Sequence, residues 1–225
     1  MIPIIDGKVH HFRSKGNYDG VTVLGDDETG TLWDHVSGEA VYGPLAGRRL
    51  EVFNLRHTTV GATLSAYPDI DVAISDRPIR GREALSIDSD QTVKLGDAFF
   101  STMKAEDTRR PTMEIGLGLW EGDRARYYPL DTVREMGGVL VDTFAGRTVV
   151  VYVDPFAYTL AALFADVSSA RREGEDIAIG DGLILHEGVL RDASGQRLVI
   201  ERPLQVFTRW YGFALTFPAT TIFER

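Results

Sequence analysis

Asp154 stands where a carboxylate could do chemistry. It follows the apolar run Val149–Val153 directly, precedes Pro155, and lies four residues before Tyr158. A charged group at the mouth of a central strand must find donors, and a carboxylate near a phenol is an acid/base pair. Asp142 is a third candidate for the same work. Trp120, Tyr128, Tyr152 and Trp210 could wall an apolar ligand pocket beside these acids. Aromatic faces and phenolic hydroxyls can shape and polarise a ligand without a cofactor. The same residue types have plainer uses. Asp27, Asp131, Asp142 and Asp154 all stand beside turns or apolar strands, where carboxylates close turns. The pairs Tyr127-Tyr128, Trp210-Tyr211 and Phe99-Phe100 would fill a core in most β-rich chains.

Other chemistries find less support. Of the five histidines, His10 and His11 are adjacent, so on a strand they point to opposite faces and do not chelate as a pair. His35, His57 or His186 combined with Asp34, Glu39 or Glu187 carries no ligand-spacing signature, and no metal site is assigned. With no cysteine there is no disulfide, thiolate site or cysteine nucleophile. No Gly-x-Ser-x-Gly elbow occurs, and Ser37-Gly38 sits in a turn context. Gly116-x-Gly118 lacks the third glycine and following helix of a dinucleotide loop. No cofactor is predicted.

The chain of 225 residues carries a formal charge of -9, with 33 acidic against 24 basic residues. Its arginine pairs, Arg48-Arg49, Arg109-Arg110 and Arg171-Arg172, are scattered rather than gathered into a stripe, so nucleic acid is not an expected partner. Met1–Val9 lacks a signal-peptide pattern, and no apolar run approaches the ~18 residues of a membrane helix. The expectation is a cytoplasmic protein off the membrane, with a leaderless form of an exported protein as the alternative and the oligomeric state open.

The positioning elements read as hairpins. The 23 glycines and 9 prolines punctuate short β-branched and aromatic runs. Val21–Leu24, the acidic turn Asp26–Gly30 and Thr31–Trp33 form one strand-turn-strand unit. Leu183–Leu185, Asp192–Gly195 and Arg197–Ile200 form a second. Each is followed by a Pro-Leu pair, then by an apolar segment ending at Tyr67-Pro68 or Phe217-Pro218. This order suggests a diverged internal duplication. The apolar segments, Thr58–Ala66 and Phe207–Thr216, predict short helices capped by Thr58 and Thr208. Two further hairpins are predicted about Glu121–Asp123 and Phe144–Gly146, with Thr148–Val153 as a central strand and a helical turn or two over Asp131–Met136. The polar stretch Arg77–Asp90 reads as a connection and the best place for a lid.

Several of these blocks carry a resemblance. Asp27–Trp33, Ser37–Val41 and Gly43–Leu50, the last opening Gly-Pro-Leu-Ala-Gly, resemble the most recognisable segment of the prokaryotic domain-of-unknown-function 3179 family. Ala125–Leu130, Val141-Asp142, Gly146 and Val149–Pro155 look like its second block, and Arg209–Glu224 is similar to its C-terminal segment. The resemblance implies no activity. Many members carry an upstream Tyr-Cys-Pro-x-Cys type motif and an export or membrane-anchoring signal. The stretch Tyr152–Tyr158 has no cysteine, so no redox or metal role is carried over.

Taken together, the expected fold is α+β and mostly β. Antiparallel hairpin-rich sheets, barrel- or sandwich-like, carry short edge helices. Residues 1–225 are expected to form a single compact domain, with related halves of about 1–76 and 113–225 joined by the loop-rich segment 77–112. Two functions stand open. One is a non-catalytic protein binding a small molecule or a protein partner in a groove between the halves. The other is a cofactor-independent enzyme of a specialised pathway, with Asp154 or Asp142 and Tyr158 as acid and base in an aromatic pocket.

Overall fold

The computed structural model describes residues 1–74, 76 and 96–224, so the stretch expected to form a lid lies outside the described residues. The protein is mostly β, with several antiparallel sheets, few short helices and, among the described residues, no closed barrel.

The chain opens with a ribbon, β1 (Ile4–Ile5) and β2 (Lys8–Val9), turned by Asp6 and Gly7 at positive φ. A four-stranded antiparallel sheet follows in chain order: β3 (Phe12–Tyr18), β4 (Val21–Asp26), β5 (Leu32–Asp34) and β6 (Ala40–Tyr42). Residues 51–59 then run as a strap outside any named strand, with inward and outward residues alternating from Val52 to Thr58. Helix α1 (Val60–Ala66) ends the strap, and α2 (Asp97–Phe100) is a single turn.

Strands β7 (Ile115–Glu121) and β8 (Arg124–Pro129) make the first predicted hairpin, and α3 (Leu130–Glu135) follows at once. The second predicted hairpin is β9 (Val139–Phe144) and β10 (Arg147–Val153), turned by Ala145 and Gly146 at positive φ. Strand β11 (Leu160–Phe164) pairs with the other edge of β10, so β10 is central as its composition implied. From Val149 to Val153 its side chains alternate between two cores, which is why no charged residue stands there. Val149, Val151 and Val153 face a cluster with Leu117, Tyr128 and Leu160. Val150 and Tyr152 face another with Leu163, Ile177 and Leu190.

A meander of β12 (Ala170–Glu173), β13 (Asp176–Ile179), β14 (Leu183–His186), β15 (Val189–Arg191) and β16 (Arg197–Leu198) supplies that second cluster. Strand β17 (Leu204–Arg209) returns beside β7, α4 (Trp210–Thr216) packs on that sheet, and β18 (Thr221–Ile222) adds a strand parallel to β8. Here Gly116 and Gly118 have a packing purpose. A Cβ on Gly118 would meet the Phe213 ring at 2.1 Å, and one on Gly116 would meet the Tyr128 carbonyl oxygen at 2.4 Å.

Two expectations about the helices need correction. Thr59, not Thr58, caps α1, accepting from the Ala62 N–H at 3.1 Å. The second apolar segment is strand through Arg209, and α4 has no side-chain cap, so Thr208 caps nothing. The alternation of Leu204–Arg209 against β7 outweighs the helical reading there. In both acidic turns the aspartate amide donates to the carbonyl after the glycine, at 3.0 Å from Asp26 to Thr31 and 3.0 Å from Asp192 to Gln196. Both helices end alike, with Ile70 donating to Tyr67 and Thr220 to Phe217. The second corner joins β15 to β16, whereas the sequence pattern had run it on from β14.

Asp26 holds its corner with every oxygen engaged. It accepts from the Thr29 amide and hydroxyl, both at 2.6 Å, from the Trp33 indole at 3.0 Å, and bonds His10 at 3.2 Å. Burial alone would raise this carboxyl, but the bonds from Thr29, Trp33 and His10 outweigh it and hold the group at about 2. Asp26→Ala should therefore cost about 3 kcal/mol in urea unfolding at neutral pH, because it strands buried donors. The contribution is complete above the unfolded carboxyl's range near pH ~4 and lost as pH falls towards 2. Denaturation midpoints of the two proteins should thus converge between those values; a gap unchanged at low pH would contradict the assignment.

Candidate functional site

A cavity of about 600 Å³ opens in the structure, within the ~300–1,000 Å³ usual for small-molecule sites. Leu117 of β7, Leu160 of β11, Val189 and Leu190 of β15, Leu198 of β16 and Phe207 of β17 give it apolar walls. The strap closes one side with Asn54, Leu55, Arg56 and His57, and Tyr67 after α1 stands at its edge. It therefore lies where the N-terminal strap meets the C-terminal sheets.

Its polar groups divide into spent and available. Asn54 donates to the Pro203 carbonyl at 2.8 Å and accepts from the Gln205 amide at 2.9 Å. Gln205 in turn accepts from the Ala162 amide at 2.8 Å and donates to the Ala162 carbonyl at 3.0 Å. These amides mimic a strand pairing and tie strap, β11 and β17 together. Three guanidinium groups remain, on Arg56, Arg197 and Arg202.

Each guanidinium is anchored on a different element. Arg202 donates to the Ala162 carbonyl at 2.7 Å and to the Tyr152 hydroxyl at 3.1 Å. Arg197 donates to the Ala66 carbonyl at 3.0 Å and lies over the Tyr67 ring, 4.5 Å from its centre. Arg56 pairs with Asp154 at 3.2 Å, while its Nε is buried without a partner among the described residues. The Arg56 guanidinium occupies the space beside Gly188, where a Cβ would fall 1.7 Å from Nη1. Gly188 also has φ of +75° in the β14–β15 turn, so two constraints favour glycine there.

Among the described residues, no carboxylate lines the cavity. Glu187 and Glu201 flank lining residues but are engaged elsewhere, with Ser65 and with Arg147 respectively. Among the described residues, three arginines thus line the space with one counter-charge, Asp154, behind Arg56.

None of the side chains expected to act in a site lines this cavity. Asp154 and Tyr152 reach it through the arginines they hold. Asp154 is buried and accepts from the Phe156 and Ala157 amides at 2.9 and 3.1 Å, closing the loop from β10 to β11. Tyr158 lies in that loop at positive φ with its side chain towards solvent, 68% exposed. Asp142 is brought to Tyr128, whose hydroxyl donates to it at 2.9 Å, and to Arg126 at 2.6 Å. Burial, followed by the Asp142 charge, pushes the Tyr128 phenol far up, so it remains a donor. Trp120 of β7 and Trp210, the first residue of α4, are buried in one cluster, with the Trp210 indole donating to the Asp107 carbonyl at 2.9 Å.

The histidines are dispersed. His35 bonds the Thr22 carbonyl, His186 pairs with Asp176, and His57 lines the cavity. Among the described residues, His10, Asp26 and Glu28 form the group whose ligand atoms lie within 4.8 Å of one another. The engaged oxygens of Asp26 make it first a hydrogen-bonded corner.

The segments that carry the family resemblance have a structural purpose. Gly43, at φ of +106°, packs on the corner, where a Cβ would meet the Thr31 Cα at 2.9 Å. The Leu45 amide donates to the Thr31 hydroxyl at 3.3 Å, and Gly47 donates to the Ala40 carbonyl at 2.9 Å. The sequence model of a family described as protein of unknown function (DUF3179) matches residues 3–215. The chain belongs to that family. DUF3179 has no assigned function, and no curated protein or solved structure matches this chain. Among the described residues, no helix of this DUF3179 chain is long and apolar enough to cross a membrane.

Gly188→Ala should cost about 2 kcal/mol in urea unfolding, from left-handed strain and displacement of Arg56. In an Arg56→Ala background the cost should fall towards the strain alone, leaving a coupling of at least ~0.5 kcal/mol. Additive costs would show that Arg56 does not depend on Gly188.

Proposed function

We propose that this protein binds a small anionic molecule, without catalysis, in the cavity walled by Arg56, Arg197 and Arg202. The observation that carries this reading is the local charge. In a chain of formal charge -9, three arginines line one space that, among the described residues, no carboxylate lines. Arginine stays ionised at any ordinary pH, so its charge must be answered by solvent or by an anion. The neutral anchors of Arg197 and Arg202 hold them in place without cancelling their charge. Each guanidinium presents five N–H donors, more than its anchors consume, and carboxylate or phosphate oxygens match that fork.

Asp154 serves this reading as the support of Arg56. Its oxygens are taken by backbone amides and the guanidinium, which leaves little room for it to move a proton. The enzyme reading would need a base facing the cavity, and His57 is the lining residue of that type.

Titration calorimetry with benzoate and benzyl alcohol tests the charge requirement. Benzoate should bind at least tenfold tighter, and Arg202→Gln should remove most of that preference, since a charged hydrogen bond is worth about 1.5–3 kcal/mol. The preference should also shrink as salt is raised. Equal binding of the two probes by the unaltered protein would sink the proposal.

A further inference from the structure

Resting on the anion-binding reading above, we infer that the ligand is an amphiphilic acid, with one carboxylate or phosphate head and an apolar body, rather than a compact polyanion. The walls argue for this. Leu117, Leu160, Leu190, Leu198 and Phe207 come from five different strands and all face the same space. Polar side chains that could have served a wholly polar ligand, Asn54 and Gln205, are spent on backbone groups. A sugar or a polyol would therefore leave its hydroxyls facing leucines, at a desolvation cost nothing returns.

The arginines argue in the same direction. A compact polyanion is best held by donors converging from one element, as in a phosphate loop. Here Arg56 is fixed at the end of β10, Arg197 at the end of α1 and Arg202 on β11, with apolar side chains on the strands between them. Arg197 and Arg202 are the best placed to meet the head, because neutral oxygens anchor them, whereas Arg56 is paired with Asp154. The apolar body then lies along β11, β15 and β17. Exposed Leu55 and Val199, 71% and 97% accessible, also line the cavity, so part of its apolar margin is open to solvent.

The test is a chain-length series on the full chain: butyrate, hexanoate and octanoate, with octyl phosphate, 1-octanol, succinate and inorganic phosphate alongside. Affinity should tighten by roughly three- to fourfold for each methylene from butyrate to octanoate. Octanoate and octyl phosphate report which head is preferred, and tight binding of either supports the inference. Arg197→Gln, on an exposed residue, and Arg202→Gln should each weaken octanoate at least fivefold while leaving octanol unchanged, with thermal melts confirming that both variants fold. A flat series, with succinate or phosphate bound as tightly as octanoate and lost with the arginines, would overturn the amphiphile and leave the anion reading standing. Octanol bound as tightly as octanoate would overturn both, as would no binding of any probe.

Discussion

The pairing of buried Asp154 with Arg56 is the interaction on which the rest of the arrangement turns. A carboxylate at the end of an apolar central strand is tolerable only if its lone pairs are met. The Phe156 and Ala157 amides meet one oxygen and so shape the loop that starts β11. The other oxygen takes a guanidinium from 98 residues earlier in the chain. That single demand brings the strap across the C-terminal sheets. Once there, Asn54 completes the docking by exchanging hydrogen bonds with Pro203 and Gln205. The cavity is the space that this docking leaves between strap and sheets.

Charge is distributed accordingly. Over the outer surface, arginines are mostly matched by carboxylates, as in Arg13 with Asp27, Arg48 with Asp6 and Arg147 with Glu201. Such exposed pairs add little to stability. At the cavity Arg56 is matched by Asp154, but Arg197 and Arg202 are held by carbonyl and hydroxyl oxygens instead. A neutral acceptor orients a guanidinium while leaving its field intact. Because the walls are apolar, that field is screened less than it would be in open solvent.

Much of the fold was legible in the sequence because local chemistry dictates it. Gly122 at φ of +60° and the Ala145-Gly146 turn mark hairpins that short turns between β-branched runs announce. The apolar run Val149–Val153 announces a strand covered on both faces, and it is one. The end of β17 is hard to read because Phe207–Thr216 is largely apolar, and pairing with β7 is what separates its strand from its helix. The site was far less legible. Asp154 was recognisable as a carboxylate in an unusual place, but its partner was not. Arg56, Arg197 and Arg202 are single arginines in unremarkable stretches, and nothing local distinguishes them from solvated ones. The clustered pairs that drew notice, such as Arg48-Arg49, are on the surface with Asp6 and Glu39.

This contrast explains why membership of the family says so little about a ligand. The segments that make the family recognisable here are those with strict backbone demands: the Asp26 corner, Gly43 pressed on Thr31, and the central strand ending at Asp154. Only a few residue types fit such positions. Arg56, Arg197 and Arg202 lie outside those segments, where many residues would satisfy the backbone equally well. What the cavity accepts is therefore set by side chains outside the segments that mark the family, and it has to be argued from the cavity itself.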